Sequence, residues 1–290
     1  MDNRRTLVIA LGGNAISPQG EIDTIENQFR HTSDTAIRIA HLIEEGWQRL
    51  VIAHGNGPQV GNVVRRVELA RDIAPWLPLD ICVADTQGGM GYMIQQCLRN
   101  ALRSRGIDRE VATVVTQVVV DRDDPGFRSP SKPIGPTKRL VASPVPHEVI
   151  EAKVISTLVD SNVIVIAGGG GGVPVVSEQG VLSGVEGVVD KDLTASLIAT
   201  SIGAARLVIL TDVDAIYTHF GEVDQARVET ATVAEMRAYA TSGAFTRGTM
   251  GPKVEAACRF VESGGEVAVI AHLDQIEEAV HSKAGTRITR

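Results

Sequence analysis

Aromatic side chains are scarce: only 3% of the 290 residues are Phe, Trp or Tyr. A core of that composition must be assembled from Val, Ile, Leu and Ala, as in a parallel sheet covered by helices on both faces. Cysteine is nearly absent as well. Cys82, Cys97 and Cys258 lie far apart, without metal-ligand spacing and in odd number. That argues against a disulfide scaffold and leaves three small buried hydrophobes in a reducing compartment. No basic run occurs and the net charge is −7, so neither a nucleic acid nor an anionic membrane is an expected partner. Long apolar runs are missing too. Leu7 to Leu11 is stopped by Gly12-Gly13-Asn14, too short for a signal-peptide core or a membrane span, and a cytoplasmic protein is expected.

What is present alternates. Thr6–Leu11, Leu50–Ala53, Val111–Val120, Val163–Ile166, Leu207–Leu210 and Val267–Ala271 read as strands buried on both faces. Ala36, Ile39, Ala40 and Ile43 repeat at helical spacing until Gly46. Further helices are expected over 88–104, 192–202, 232–241 and 252–263. Strand–helix alternation predicts an α/β fold with a mainly parallel sheet, with ligands at the carboxyl ends of its strands. Residues 121–146 break the rhythm: polar, punctuated by proline and aperiodic, they read as an excursion from the sheet and mark a natural boundary near residue 150.

The usual nucleotide and hydrolase motifs are missing. There is no G-x-x-x-x-G-K-[ST] and no G-x-S-x-G, and the segment His54 to Gly61 misplaces the last glycine of a dinucleotide fingerprint. The 29 glycines instead gather at strand ends: Gly12-Gly13, Gly55-Asn56-Gly57 and Gly168 to Gly172. Such loops can aim backbone N–H groups at an anion, although any one of them could be a plain structural turn. Asp190 or Asp192 could simply cap the helix that follows. Lys191 does not suit that reading, and Lys253 falls in the first turn of another helix; a cation opposes the helix dipole at both places. Two lysines at unfavourable ends imply that an anion joins them. Lys132, in the excursion, is a third candidate. His54 reads as a packing or loop-anchoring residue.

The blocks LGGNA (11–15), HGNGPQVGN (54–62), QGGMGY (87–92), SKPIGP (131–136), VDKD (189–192), LTDVDAIY (210–217) and GTMGPKVEAA (248–257) closely resemble carbamate kinases of the amino-acid-kinase superfamily, nearly from end to end. The resemblance implies a three-layer α/β/α sandwich, a homodimer, and reversible transfer between ATP plus carbamate and ADP plus carbamoyl phosphate, with Mg²⁺. It also implies operation toward ATP synthesis in arginine catabolism. By similarity an N-terminal lobe, about 1–150, holds the acceptor through Gly12, Gly13, Asn14, Gly55, Asn56, Gly57, Gly169 and Gly170. A C-terminal lobe, about 151–290, holds the nucleotide through Thr211, Asp212, Val213, Tyr217, Met250, Gly251, Pro252 and Lys253. Catalysis is assigned to Lys132, Asp192, Lys253 and Lys191, with Asp192 organising the lysines; no side chain is assigned as a metal ligand. Relatives acting on acetylglutamate or glutamate carry a lysine just before the first glycine pair, where this chain has Ala10-Leu11. Lys132 resembles its replacement. One departure stands out: Pro136 runs directly into Thr137-Lys138-Arg139, where carbamate kinases insert most of a protruding lid. The shortening leaves open a same-fold kinase for another small acid, or a weakly active nucleotide-binding regulator.

Overall fold

Thr6–Leu11 (β1) is buried along its whole length, and its alternate side chains enter different cores. Leu7, Ile9 and Leu11 join one apolar cluster, while Val8 and Ala10 join another on the opposite face. A strand buried at every position, and apolar from Leu7 onward, therefore forms the middle of three layers. The computed structural model describes residues 5–18, 20–135, 138–245 and 250–290.

The next strands are β2 (Arg49–His54), β3 (Val111–Thr113), β4 (Gln117–Val120), β5 (Lys132–Ile134), β6 (Arg139–Val141), β7 (Pro146–Val149) and β8 (Ile164–Ile166). After them come β9 (Val173–Glu178), β10 (Val181–Gly184), β11 (Arg206–Thr211), β12 (Ile216–Thr218), β13 (Ala226–Val228), β14 (Thr230–Thr232), β15 (Val267–His272) and β16 (Thr286–Thr289). Eight of them make the main sheet, in the order β14-β16-β15-β11-β1-β2-β8-β3. All its pairings are parallel except β15 with β16. The helices are α1 (Ile25–Glu44), α2 (Gly57–Leu69), α3 (Leu79–Ser104), α4 (Pro125–Arg128), α5 (Ala152–Asp160), α6 (Lys191–Ser201), α7 (Val233–Thr241), α8 (Met250–Glu262) and α9 (Ile276–Val280). The apolar faces of α1, α3 and α9 cover one side of the sheet, and those of α5, α6 and α8 the other.

Local chemistry sets the boundaries. The Thr24 hydroxyl accepts the Asn27 N–H at the start of α1, and Gly46, at φ +104°, turns the chain away beyond its end. Two expectations need correction, and one helix was not expected. Val111–Val120 is two strands in two sheets, because Thr116 breaks the run: its N–H goes to the Gln87 side chain, and its hydroxyl is tied to Val114 and Gly168. Beyond the break β4 joins a second sheet, β10-β9-β4-β7. The helix expected over 88–104 begins nine residues earlier at Leu79, directly after Pro78. Gly57 opens a full helix, α2, that the glycine-rich sequence did not announce.

Among the described residues of 121–146, none but Pro146 belongs to either larger sheet. This excursion contains the four-residue α4 and a hairpin, β5 paired antiparallel with β6. Its neck is latched to α2. A Cβ on Gly61 would fall 1.9 Å from the Cα of Gly135, and Gly135, at φ +65°, donates its N–H to the Gly57 carbonyl. Gly61→Ala is therefore expected to destabilise the protein by about 1–3 kcal/mol, the usual cost of an overpacked contact. Thermal unfolding measures it; an unchanged midpoint would mean the hairpin lifts away freely.

Candidate active site

The carboxyl ends of β1, β2 and β11 open onto one cavity of about 800 Å³. Its lining includes Gly12 and Gly13 after β1, Gly55, Asn56 and Gly57 after β2, and Thr211 and Asp212 at the end of β11. Residues of the first turns of three helices line it too: Gly57 and Pro58 of α2, Lys191 and Asp192 of α6, and Gly251, Pro252 and Lys253 of α8. Each N-terminus turns the positive end of its helix dipole toward the cavity, which is therefore suited to a polyanion.

The charges are organised around one carboxylate. Asp192 is 2% exposed. Its Oδ2 accepts from Lys253 Nζ at 3.0 Å, and its Oδ1 accepts from Lys191. Burial would raise this carboxyl, but the two ammonium groups outweigh burial and hold it at about 2. Burial pushes Lys191 below the ordinary lysine range, with Asp192 opposing it and Lys253 adding to it. For Lys253 burial acts in the same direction, yet Asp192 prevails and keeps it above that range. Both lysines do sit at helix N-termini, as read from the sequence, and Asp192 is the partner that makes their burial tolerable.

Lys132 reaches the same cavity from β5. Its Nζ lies 2.5 Å from Asp190 Oδ2, while Asp190 Oδ1 accepts the Asp192 N–H at 2.9 Å and so caps α6. Sequence reasoning weighed Asp190 only as a cap. The available signal was that a cap engages one carboxylate oxygen and leaves the other free.

The glycine run packs tightly. Gly168, Gly170, Gly171 and Gly172 have φ between +64° and +92°, and a Cβ on Gly170 would lie 2.1 Å from Asn56 Nδ2. Asn56 is further held by its bond to Thr86 Oγ1 at 2.8 Å, and Thr194 Oγ1 ties α6 to the Gly171 carbonyl at 2.7 Å. Gly170 lines the cavity; Gly169 does not, lying where a Cβ would strike His54 Nε2 at 2.6 Å. His54 is itself buried, with burial lowering its pKa to about 4, so it is a neutral packing residue. Val213, Tyr217 and Met250 also fall outside the lining. Tyr217, on β12, donates its hydroxyl to Asp214 Oδ1 at 2.9 Å. Asn14 lies in the 3₁₀ turn Gly13–Ala15, its side chain outside the described part of the structure. Pro136 and Thr137, where the shortening is expected, lie outside the described residues, as do Gly248 and Thr249 of the block before α8.

A magnesium ion arriving with a nucleotide fits this donor set. Mg²⁺ keeps several waters and needs only one or two carboxylates beside phosphate oxygens. Asp212 in the lining supplies such a carboxylate, accepting only the Thr211 hydroxyl among the described side-chain bonds.

The model of the Amino acid kinase family matches residues 5–272. The carbamate kinase of Thermococcus kodakarensis is 44% identical over 313 aligned positions, covering 99% of each chain. That of Pyrococcus horikoshii is 42% identical over 98% of each. The first alignment is 23 positions longer than the 290 residues here, so the relative carries residues without counterparts in this chain. Among solved structures, the carbamate kinase of Giardia lamblia bound to AMP-PNP superposes with a TM-score of 0.94 at 35% identity, over 98% of each chain. The chain belongs to the amino acid kinase family and, within it, to the carbamate kinases.

Proposed function

We propose that this phosphotransferase moves a phosphoryl group reversibly between ATP and carbamate, giving ADP and carbamoyl phosphate. The observation that carries the reading is the Lys191–Asp192–Lys253 cluster, set where three helix N-termini meet and faced by Lys132. Carbamate is an anionic oxygen nucleophile, so no general base is needed, and the neutral buried His54 agrees with that. In the direction of ATP synthesis a β-phosphate oxygen of ADP attacks phosphorus, and the carbamate oxygen departs with the bonding electrons. Charge then spreads over the equatorial oxygens, and Lys132, Lys191 and Lys253 neutralise it while Asp192 fixes the last two. Backbone N–H groups of Gly12, Gly13 and Gly57 hold the acceptor beside Asn14, Gly55, Asn56 and Gly170, with Gly169 set behind them against His54. Thr211, Asp212, Val213, Tyr217, Met250, Gly251 and Pro252 frame the nucleotide. Mg²⁺, when bound with the nucleotide near Asp212, supplies further neutralisation of phosphate charge.

The division of labour follows the lobes: residues about 1–150 for the acceptor and 151–290 for the nucleotide, with β8 reaching back between β2 and β3. A homodimer is proposed as well. The outer face of α3 supports it, since Ile81 and Tyr92 are 42% and 59% exposed there, beside the bare Gly88 and Gly89. The proposed setting is the cytoplasm, in arginine catabolism; no helix among the described residues is long and apolar enough to cross a membrane.

The test is ATP formation from ADP and carbamoyl phosphate with Mg²⁺. Robust turnover is expected, and Lys132→Ala is expected to lower it at least roughly tenfold. Tight ADP binding without turnover would point to another acceptor. Full activity in the variant would remove Lys132 from the mechanism.

A further inference from the structure

Asp190 does more than a helix cap requires. Its two oxygens have separate duties: Oδ1 takes the Asp192 N–H, and Oδ2 takes the Lys132 ammonium. The cap bond orients the carboxylate before any lysine arrives, and the side chain is only 12% exposed. Lys132 has the opposite character. It is 38% exposed and stands on a three-residue strand, at the end of a long stem with much rotamer freedom to lose. An ion pair between two such flexible, exposed groups would be worth little. Here one partner is already fixed, so the pair can hold the other in place. The neighbouring carboxylate is committed, because Asp192 gives one oxygen to Lys191 and the other to Lys253.

We infer that Asp190 is a positioning residue, whose carboxylate seats Lys132 at the phosphoryl-transfer point by tying the β5–β6 hairpin to the N-terminus of α6. The inference rests on the phosphoryl-transfer reading above. An ammonium has three donors: one stays on Asp190, and two remain for the incoming anion. The seat also explains how a shortened excursion delivers its cation. The latch of Gly135 against Gly61 sets the backbone, and Asp190 sets the side chain.

Asp190→Asn separates the two duties, because asparagine caps a helix as well as aspartate does but carries no charge for Lys132. The expected result is a fall in kcat for ATP formation of at least about tenfold, with KM for ADP changed less than about twofold. In a Lys132→Ala background the same change should cost less than about twofold, since the lysine to be seated is gone. Independent, multiplying losses would overturn the proposal. A second readout needs no catalysis: amine acetylation of the ligand-free protein, followed by mass spectrometry. Lys132 should react severalfold faster in Asp190→Asn than in the parent, and equal rates would overturn the seat. If the parent protein makes no ATP from carbamoyl phosphate, the functional reading fails, and the acetylation ratio alone decides the role of Asp190.

Discussion

Asp192→Asn is expected to abolish phosphoryl transfer, by roughly 10³-fold or more, and to destabilise the protein as well. The carboxylate is 2% exposed and engages two lysines. Replacing it with an amide leaves two buried cations without a counter-charge, and breaking such an arrangement costs about 3–5 kcal/mol. Part of that cost is avoidable. Lys191, which burial already pushes below the ordinary lysine range, can shed its proton instead of remaining an unpaired cation. Doing so removes a charge the transition state needs, so stability recovered in this way is lost to catalysis. The acid limb of stability should change too. The folded carboxyl lies at about 2 against an unfolded value of about 4. Its stabilisation, about 2–3 kcal/mol, is present above pH 4 and disappears as pH falls toward 2. Melting curves between pH 5 and 2 should be flatter in the variant; parallel curves would show that Asp192 is not held so low.

Lys253→Ala is expected to separate turnover from binding. The lysine is 10% exposed and lies in the first turn of α8, at the cavity, where its charge opposes the helix dipole. Its removal frees the helix from that repulsion and leaves Asp192 paired with Lys191, so the fold should tolerate the change better than Asp192→Asn. Turnover should not. A cation that neutralises charge developing in transfer is worth about 10²–10³ in kcat, whereas ADP affinity should change less than about threefold. Steady-state kinetics with calorimetric ADP titration would measure both. Equal losses in kcat and affinity would reduce Lys253 to a binding residue.

The parallel sheet was legible because its central strands carry four or five consecutive apolar residues, as in Leu7–Leu11, Leu50–Ala53 and Leu207–Leu210. β1 is the clearest case, matching its expected limits. What escaped were breaks that hydrophobicity does not register. Val111–Val120 is apolar enough to look continuous, and only the tertiary bonds of Thr116 to Gln87 and Gly168 divide it. The start of α3 was hidden by Gly88-Gly89, poor helix formers carried by a helix whose first turn packs beside Val60 and whose later turns pack with α1. In the site, Lys191 and Lys253 were visible as cations at the wrong ends of helices. That Asp192 organises both came through the family resemblance, whereas Asp190 engaging Lys132 depends on a distance in space that no local pattern encodes. Gly169 shows the converse: part of a run that reads as anion-binding, it is required by the packing of His54.

The neck of the excursion also has an engineering consequence. Gly135 is held against Gly61, and Ile134 and Val141 are buried in an apolar cluster with Val60 and Leu79. This packing fixes the base of the hairpin, so chain spliced in beyond Gly135 would leave that base in place. Doubling the length of such a loop costs only about 0.6 kcal/mol, while Lys132, on the near side, keeps its aim. A guest peptide or fluorescent domain could therefore be carried there as a tethered reporter without unseating the lysine.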